Sequence, residues 1–280
     1  MPMFKNPPKI LAHVSSVREK NFVTPEYIIN KTNDKIQLFN RYCPHRMYPM
    51  HNPGDEVEEI QCNFHGFKWN KNGIALNNDR EIKCETAILG NSGLIFTNFV
   101  EPNHSWVDDL KNEKNLQYSH TVTGKSDGSW LWMMEIQADL SHIRKDKNGI
   151  HPWLSNIEDL DNVKMENGDD WILQTCSTGW WLFIYPFTFI EWSKGCLSIN
   201  YTTPKNSFDE YGFEWNTQFY YNSKVKRDRR IIFEKLEDVF REDVLAIEKQ
   251  KGKYFPLMKS SNKYEDHCVH FGQWVMKNKE

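Results

Sequence analysis

Two short stretches, CPHR at Cys43 to Arg46 and CNFHGF at Cys62 to Phe67, constrain this chain more than any other feature. They place Cys43-x-His45 and Cys62-x2-His65 with sixteen residues between the pairs. Thiolates and imidazoles are soft and borderline ligands, so two matched pairs predict a metal centre clamped between two loops. A tetrahedral zinc is one candidate occupant. The other is a [2Fe–2S] cluster, with two Cys on one iron and two His on the second. Three details favour the cluster. Each loop supplies one Cys and one His, which suits a two-iron unit held symmetrically. Pro44 stiffens the first loop, and Gly66 lets backbone come close in the second. The flanking text is strand-like, with no finger helix behind it.

Residues 9 to about 98 contain β-rich runs (EYIIN, KIQLFNRY, EEIQCNF, FKWN, GLIFTNF) broken at TND, NPGD, NKNG and GNSG, which predicts a small all-β unit. VEPNHS then reads as a connection. SWLWMMEIQADLSHIR has helical spacing without a breaker and ends at KDKNG. Residues 171 to 222 are strand-like again, a long helix runs from Asp228 to about Lys251, and a short amphipathic piece covers Val269 to Lys277. The expected fold class is α+β. A β unit over 9–100 precedes a unit over 101–280 in which helices pack on an antiparallel sheet in a helix-grip-like arrangement.

Composition narrows the function. Aromatics make up 14% of the 280 residues, so the core is built from rings more than from Leu. A net charge of −3 without a basic face gives no basis for nucleic acid or an anionic membrane as partner. No signal-peptide pattern and no run of 18 apolar residues occurs, and the expectation is a soluble, cytoplasmic protein. Six cysteines make no disulfide scaffold. Cys84, Cys176, Cys196 and Cys268 have no ligand spacing and read as bystander thiols. GNSG at Gly90 is not a G-x-G-x-x-G fingerprint, so nucleotide binding has no motif.

CPHR followed by CNFHGFKWNKNG resembles the Rieske domain of ring-hydroxylating and related non-haem iron oxygenases. Phe64 and Phe67 stand where the family has Tyr and Trp, and Trp69 is a candidate for the bulky cover of the cluster. The resemblance gives Arg46 a part in ordering that region. His51 reads as a loop-surface histidine. An oxygenase would also need a mononuclear iron held by two imidazoles and one carboxylate, leaving positions open for dioxygen.

EIQADLSHIRKDKNGIHPWL offers the imidazoles. Asp139 and His142 are three apart on the expected helix, with Glu135 one turn earlier, and His151 follows the loop. The stretch is similar to the family's iron-binding text in Trp130-x4-Glu135, Asp139-x2-His142 and His151-Pro152-x-Leu154. It departs in Ile136, in Ser141, and in the eight residues between the histidines where relatives have four. That spacing requires a loop that folds back. For the carboxylate, Ile232, Leu236, Val239, Phe240 and Ile247 define an apolar stripe on the long helix. Asp243 falls inside it and Asp238 on the polar side. A carboxylate on an apolar face is costly unless paired or metal-bound, which selects Asp243. The resemblance selects the same residue through Glu242-Asp243, Glu248, Gln250 and Gly252, and the terminal CVHFGQWVMKN resembles the family's closing helix.

The resemblance thus implies a terminal oxygenase that uses O2. Electrons from NAD(P)H would arrive through an external ferredoxin or flavin reductase, reach a cluster on Cys43, His45, Cys62 and His65, and pass to an Fe(II) on His142, His151 and Asp243. Asp139 would link the two centres across a subunit boundary in a homotrimer, and a small organic substrate would be mono- or dioxygenated. GWWLFIYPFTFIEW alternates rings with smaller residues, so one face of it suits an aromatic or quaternary-ammonium-like substrate. Glu191 reads first as a solvated strand residue and second as a partner for a cation. Two readings from other classes stay open: a Rieske electron-transfer protein with an iron-free C-terminal binding domain, and a zinc-stabilised binding module.

Overall fold

Short runs of branched and aromatic residues become strands where both faces find cover, and the first unit follows that rule. The computed structural model describes residues 7–17, 20–32, 35–143, 150–151, 162–193, 195–205, 210–224, 229–250, 252–260, 262 and 265–278. Its first sheet is formed by β1 (Lys9–His13), β2 (Asn21–Val23), β3 (Tyr27–Lys31), β4 (Ile36–Asn40), β5 (Glu56–Val57), β8 (Cys84–Leu89) and β9 (Leu94–Thr97). The order is β1-β9-β8-β4-β3-β2-β5, and a separate hairpin pairs β6 (Ile60–Cys62) with β7 (Phe67–Trp69). Phe39, Cys43, Ile60, Cys62 and Trp69 share one apolar cluster, so the motif cysteines are part of the core that supports their own loops.

The second sheet has the order β10-β16-β15-β14-β13-β12-β11. It comprises β10 (Leu116–Ser129), β11 (Lys164–Asn167), β12 (Trp171–Cys176), β13 (Gly179–Ile184), β14 (Thr188–Ser193), β15 (Cys196–Pro204) and β16 (Tyr211–Asn222). Both sheets are antiparallel at every described pairing, and the architecture is α+β. The connection after the first unit contains a helix of its own, α1 (Ser105–Asn112), which buries Trp106, Val107 and Leu110. The sequence reading passed over β10, because LQYSHTVTGKSDGS lacks a dense apolar run. It exists because it pairs with β16 from Leu116–Asn222 to Ser129–Tyr211.

Helix α2 (Trp130–Ala138) is buried on nearly every side, with Trp130, Leu131, Met133, Met134, Glu135, Gln137 and Ala138 all buried. Such a helix must lie inside the domain. It packs against α3 (Arg229–Lys249) and α4 (Asp266–Asn278), and its apolar residues join Phe183, Tyr185, Phe240, Ile247, Phe271 and Trp274 in one cluster. The two sheets also share a core, in which Ile10, Leu94 and Phe96 meet Leu182, Ile190 and Leu197. Gln218 Nε2 donates to the Leu11 carbonyl at 2.8 Å across that junction. Among the described residues, no helix is long and apolar enough to cross a membrane.

The expected helix through His142 does not run that far. It ends at Asp139, whose backbone is extended (φ −81°, ψ 107°). The Asp139 carboxylate accepts the Ser141 N–H at 2.7 Å and so starts a separate 3-10 turn, Leu140–Ile143. Local capping by the Asp side chain has overridden helical periodicity. Asp139 and His142 therefore do not share a face of one helix.

Candidate active site

The four motif residues meet at the tip of the first unit. Cys43 lies in the loop after β4, His45 two residues on, Cys62 at the end of β6, and His65 in the turn before β7. Both thiols are buried and free, while His45 Nδ1 and His65 Nδ1 stand 3.2 Å apart at the outer side. Burial pushes the Cys43 thiol up, and the backbone N–H groups of His45 and Arg46 at its sulfur act against that shift. Gly66 has φ +72°, and a Cβ there would meet nothing within 4 Å. This turn needs a glycine for its left-handed backbone and not for room among the surrounding side chains. Trp69 is fully buried beside the cysteines and donates its Nε1–H to the Arg80 carbonyl. Arg46 is exposed.

His51 departs from the surface reading. It is half-buried and holds the two loops together. Its Nε2 accepts the Gln61 N–H at 3.2 Å, and its carbonyl accepts from the Arg41 guanidinium at 3.0 Å. Burial keeps the imidazole below its ordinary value, in keeping with an acceptor nitrogen.

In the second unit, one ligand atom from each of His142, His151 and Asp243 lies within 4.8 Å of the others. The 3-10 turn positions His142, the backbone at 151 returns His151 to the same place, and α3 brings Asp243. Asp243 is 3% exposed on the apolar face of α3, whereas Asp238 is exposed. Asp243 Oδ1 sits 2.7 Å from His151 Nε2 and 3.8 Å from His142 Nε2. The opposite nitrogens are held from outside. His142 Nδ1 donates to the Asp139 carbonyl, and His151 Nδ1 donates to Glu242 Oε2 at 2.6 Å. Both rings thus turn Nε2 toward one point, as outer acceptors do for metal-bound histidines. Pro152, Leu154 and the KDKNG loop at 145–149 lie outside the described residues, as does the side chain of Ile232.

Electrostatics separate the two imidazoles. Burial holds His142 below its ordinary value against the pull of Asp243 and Asp139. For His151, burial acts downward as well, but hydrogen bonds to Asp243 and Glu242 outweigh it and raise the group. Two rings, one carboxylate and no thiol form a donor set that fits a divalent iron with open positions. Asp139 contributes its backbone carbonyl to His142, and its carboxylate is engaged by Ser141. Glu135 is buried and accepts from Tyr254 Oη at 2.6 Å. Burial pushes its carboxyl up to about 7.

A cleft of about 540 Å³, counting its open mouth, lies directly beside His142 and Asp243. Trp181, Phe189, Leu236 and Val239 supply apolar wall, and Gln137, Gln174 and Glu191 supply the polar part. Glu191 is therefore part of the cleft wall and not a solvated strand residue. Sequence reasoning missed Glu242 as the partner of His151, although its place next to Asp243 was visible. It also missed Gln137 and Gln174, whose only signal was a polar residue within a buried run.

Residues 9–86 match the family model described as the Rieske [2Fe-2S] domain. That match and the Cys43, His45, Cys62 and His65 arrangement support a [2Fe–2S] cluster at this tip. No curated protein matches the chain. Among solved structures, the chain is similar to the quaternary ammonium Rieske monooxygenase CntA in complex with an inhibitor (TM-score 0.73, 16% identity, 98% of this chain and 89% of that one). A second CntA structure, in complex with L-carnitine, gives a TM-score of 0.70 at 15% identity, with 98% and 89% covered. NdmA of Pseudomonas putida CBB5 gives 0.55 at 17% identity, with 97% and 89% covered. The fold, over nearly the whole chain, is that of these Rieske monooxygenases.

Proposed function

We propose that the chain is a terminal oxygenase: residues 9–100 carry a Rieske cluster on Cys43, His45, Cys62 and His65, and residues 101–280 hold a mononuclear Fe(II) on His142, His151 and Asp243. The observation that carries this reading is the convergence of the three donor groups beside a cleft, each imidazole fixed from behind by an outer acceptor. When bound, the two centres would supply one-electron transfer and activation of dioxygen. The chain's own residues do the rest. The Asp139 carbonyl and the Glu242 carboxylate hold the two Nδ1 protons, so that the Nε2 atoms are the ones offered to the metal, and His151 would release its Nε2 proton, now held by Asp243, when the metal binds. Burial of Asp243 keeps water from competing for its oxygens. Leu236, Val239, Trp181 and Phe189 enclose the reacting part of a small organic substrate, aromatic or ammonium-bearing, and exclude bulk solvent from it.

Electrons would come from NAD(P)H through a separate ferredoxin or flavin reductase. Met47, Tyr48 and Phe64 are exposed around His45 and His65, with Tyr48 and Phe64 stacked at 5.2 Å. An apolar rim at an electron-carrying tip fits docking against a second copy of the chain. Delivery between neighbouring subunits of a homotrimer, with Asp139 as the link, is consistent with that rim.

The test is iron and acid-labile sulfide per chain on anaerobically purified protein. About three irons to two sulfides is expected. Asp243→Ala should give about two to two, keep the cluster spectrum and lose turnover. A parent protein that stays at two to two after Fe(II) is added back would be an electron carrier, and the oxygenase reading would fall.

A further inference from the structure

The last residue of α2 is Ala138, and the turn that carries His142 starts two residues later, at Leu140. In an α-helix each carbonyl accepts the N–H four residues on, so in a helix that ran further the Ala138 carbonyl would accept from His142. Here a side chain takes that carbonyl. Gln174 Nε2, on β12, donates to it at 2.9 Å. A carbonyl only accepts, so the amide turns its nitrogen toward it.

Gln174 is itself held in place. It is 1% exposed, and its Nε2 also reaches His267 Nδ1 at 2.9 Å. His267 is buried in the first turn of α4. Its Nδ1 accepts because the ring is neutral, with burial holding the group at about 4. The next residue, Cys268, turns its thiol to the Glu135 carbonyl at 3.8 Å, in the last turn of α2. β12 and α4 thus attend the carbonyls at the C-terminal end of this helix, where intrahelical partners run out.

The consequence falls on His142. With the Ala138 carbonyl engaged, Asp139 leaves the helical region, its carboxylate caps the Ser141 N–H, and its carbonyl accepts from His142 Nδ1. In a continued helix the Asp139 carbonyl would instead belong to the N–H of Ile143. The Asp139 carboxylate accounts for the start of the new turn. It does not supply a partner for the buried Ala138 carbonyl, which is costly to leave unpaired.

We infer that Gln174, oriented by His267, is a positioning residue for His142: by taking the Ala138 carbonyl it ends α2 and lets the following turn aim His142 Nε2 at His151 and Asp243. The effect on iron rests on the proposed oxygenase site, whereas the effect on the ring rests on the hydrogen bonds alone.

The experiment uses the full chain with its cluster and has two readouts. Gln174→Met keeps the length of the side chain and removes the amide. His267→Asn keeps an acceptor near the place of Nδ1, and His267→Leu removes it. Leu197→Ala, in the core between the two sheets, is the control for a general loss of stability. The first readout is the 15N spectrum of the imidazoles at pH 8 before iron is added, with His142 assigned by loss of its signals in His142→Gln. The parent should show His142 protonated at Nδ1, the form that the Asp139 carbonyl fixes. Gln174→Met and His267→Leu should shift it toward the Nε2-protonated form. The second readout is anaerobic Fe(II) competition against a chromophoric chelator at constant cluster absorbance. Those two variants should bind about 3- to 10-fold more weakly, the range of one neutral hydrogen bond. His267→Asn and Leu197→Ala should stay within twofold of the parent. Parent ring signals and parent affinity in Gln174→Met overturn the inference, and so does an equal loss of affinity in Leu197→Ala. Should Gln174→Met fail to fold, the contrast between His267→Asn and His267→Leu decides. A parent that binds no Fe(II) removes the oxygenase reading, and the ring signals then decide the positioning role by themselves.

Discussion

Glu242 offers the sharpest test of the proposed second metal site. It does not belong to the converging triad, yet its carboxylate accepts from His151 Nδ1 at 2.6 Å, and His151 is fully buried. Glu242→Ala leaves that N–H without an acceptor and frees the ring to turn, a loss of about 10- to 100-fold in metal affinity, or about 1.4–2.7 kcal/mol. Glu242→Gln keeps an oxygen acceptor but removes the charge. A charge-assisted hydrogen bond is about twice as strong as a neutral one, so roughly half of the energy survives and the loss is about 3- to 10-fold. The Glu242 side chain is 42% exposed, which places both figures toward their lower ends. The assay is anaerobic Fe(II) competition against a chromophoric chelator, with the visible absorbance of the cluster as an internal measure of folded protein. Affinity should fall in the order Glu, Gln, Ala at constant cluster content. Variants that both bind within twofold of the parent would refute the outer-acceptor argument.

Three further outcomes follow from the same structure. Phe183 is fully buried in the core around α2, and Phe183→Ala should cost about 3–5 kcal/mol in chemical denaturation while the purified protein keeps its metal content. Burial raises the Glu135 carboxyl from 4.5 to about 7, so the native state holds that proton more tightly than the unfolded chain. Its contribution is present in full below about pH 4.5 and is lost as pH rises to 7, a change of about 3 kcal/mol. Glu135→Gln should flatten that part of the stability profile, with the gain over the parent seen at pH 8 and absent at pH 4.5. Gly66→Ala forces a side chain into the left-handed region at φ +72° and should lower stability by about 1–2 kcal/mol, read as an earlier loss of the cluster spectrum on heating.

Much of this was readable in the linear text, for reasons that differ from residue to residue. Cys43, His45, Cys62 and His65 were legible as one group because short loops keep residues that are near in sequence near in space. Asp243 was selected by periodicity, since a carboxylate within an apolar stripe is costly to bury unpaired. The Asp139–His142 relation was misread, because an Asp side chain that caps the next turn looks no different in sequence from one that continues a helix. Glu191 and His51 were read as surface groups because nothing local reveals what a distant strand or loop lays over them. β10 went unrecognised for the same reason, its stability residing in pairing with β16 nearly a hundred residues later.

The α+β class, the cysteine–histidine pairs and the apolar face of the long helix could be read from the chain's linear order alone. All of these rest on local periodicity, turn chemistry or ligand spacing. It takes the folded molecule to show that His142, His151 and Asp243 converge, that Glu242 and the Asp139 carbonyl hold the two rings from behind, and that Gln174, Trp181 and Glu191 lie side by side across three strands. Those relations depend on strand register and on how α2 and α3 pack over the sheet. They are set by long-range burial, which no window of sequence contains.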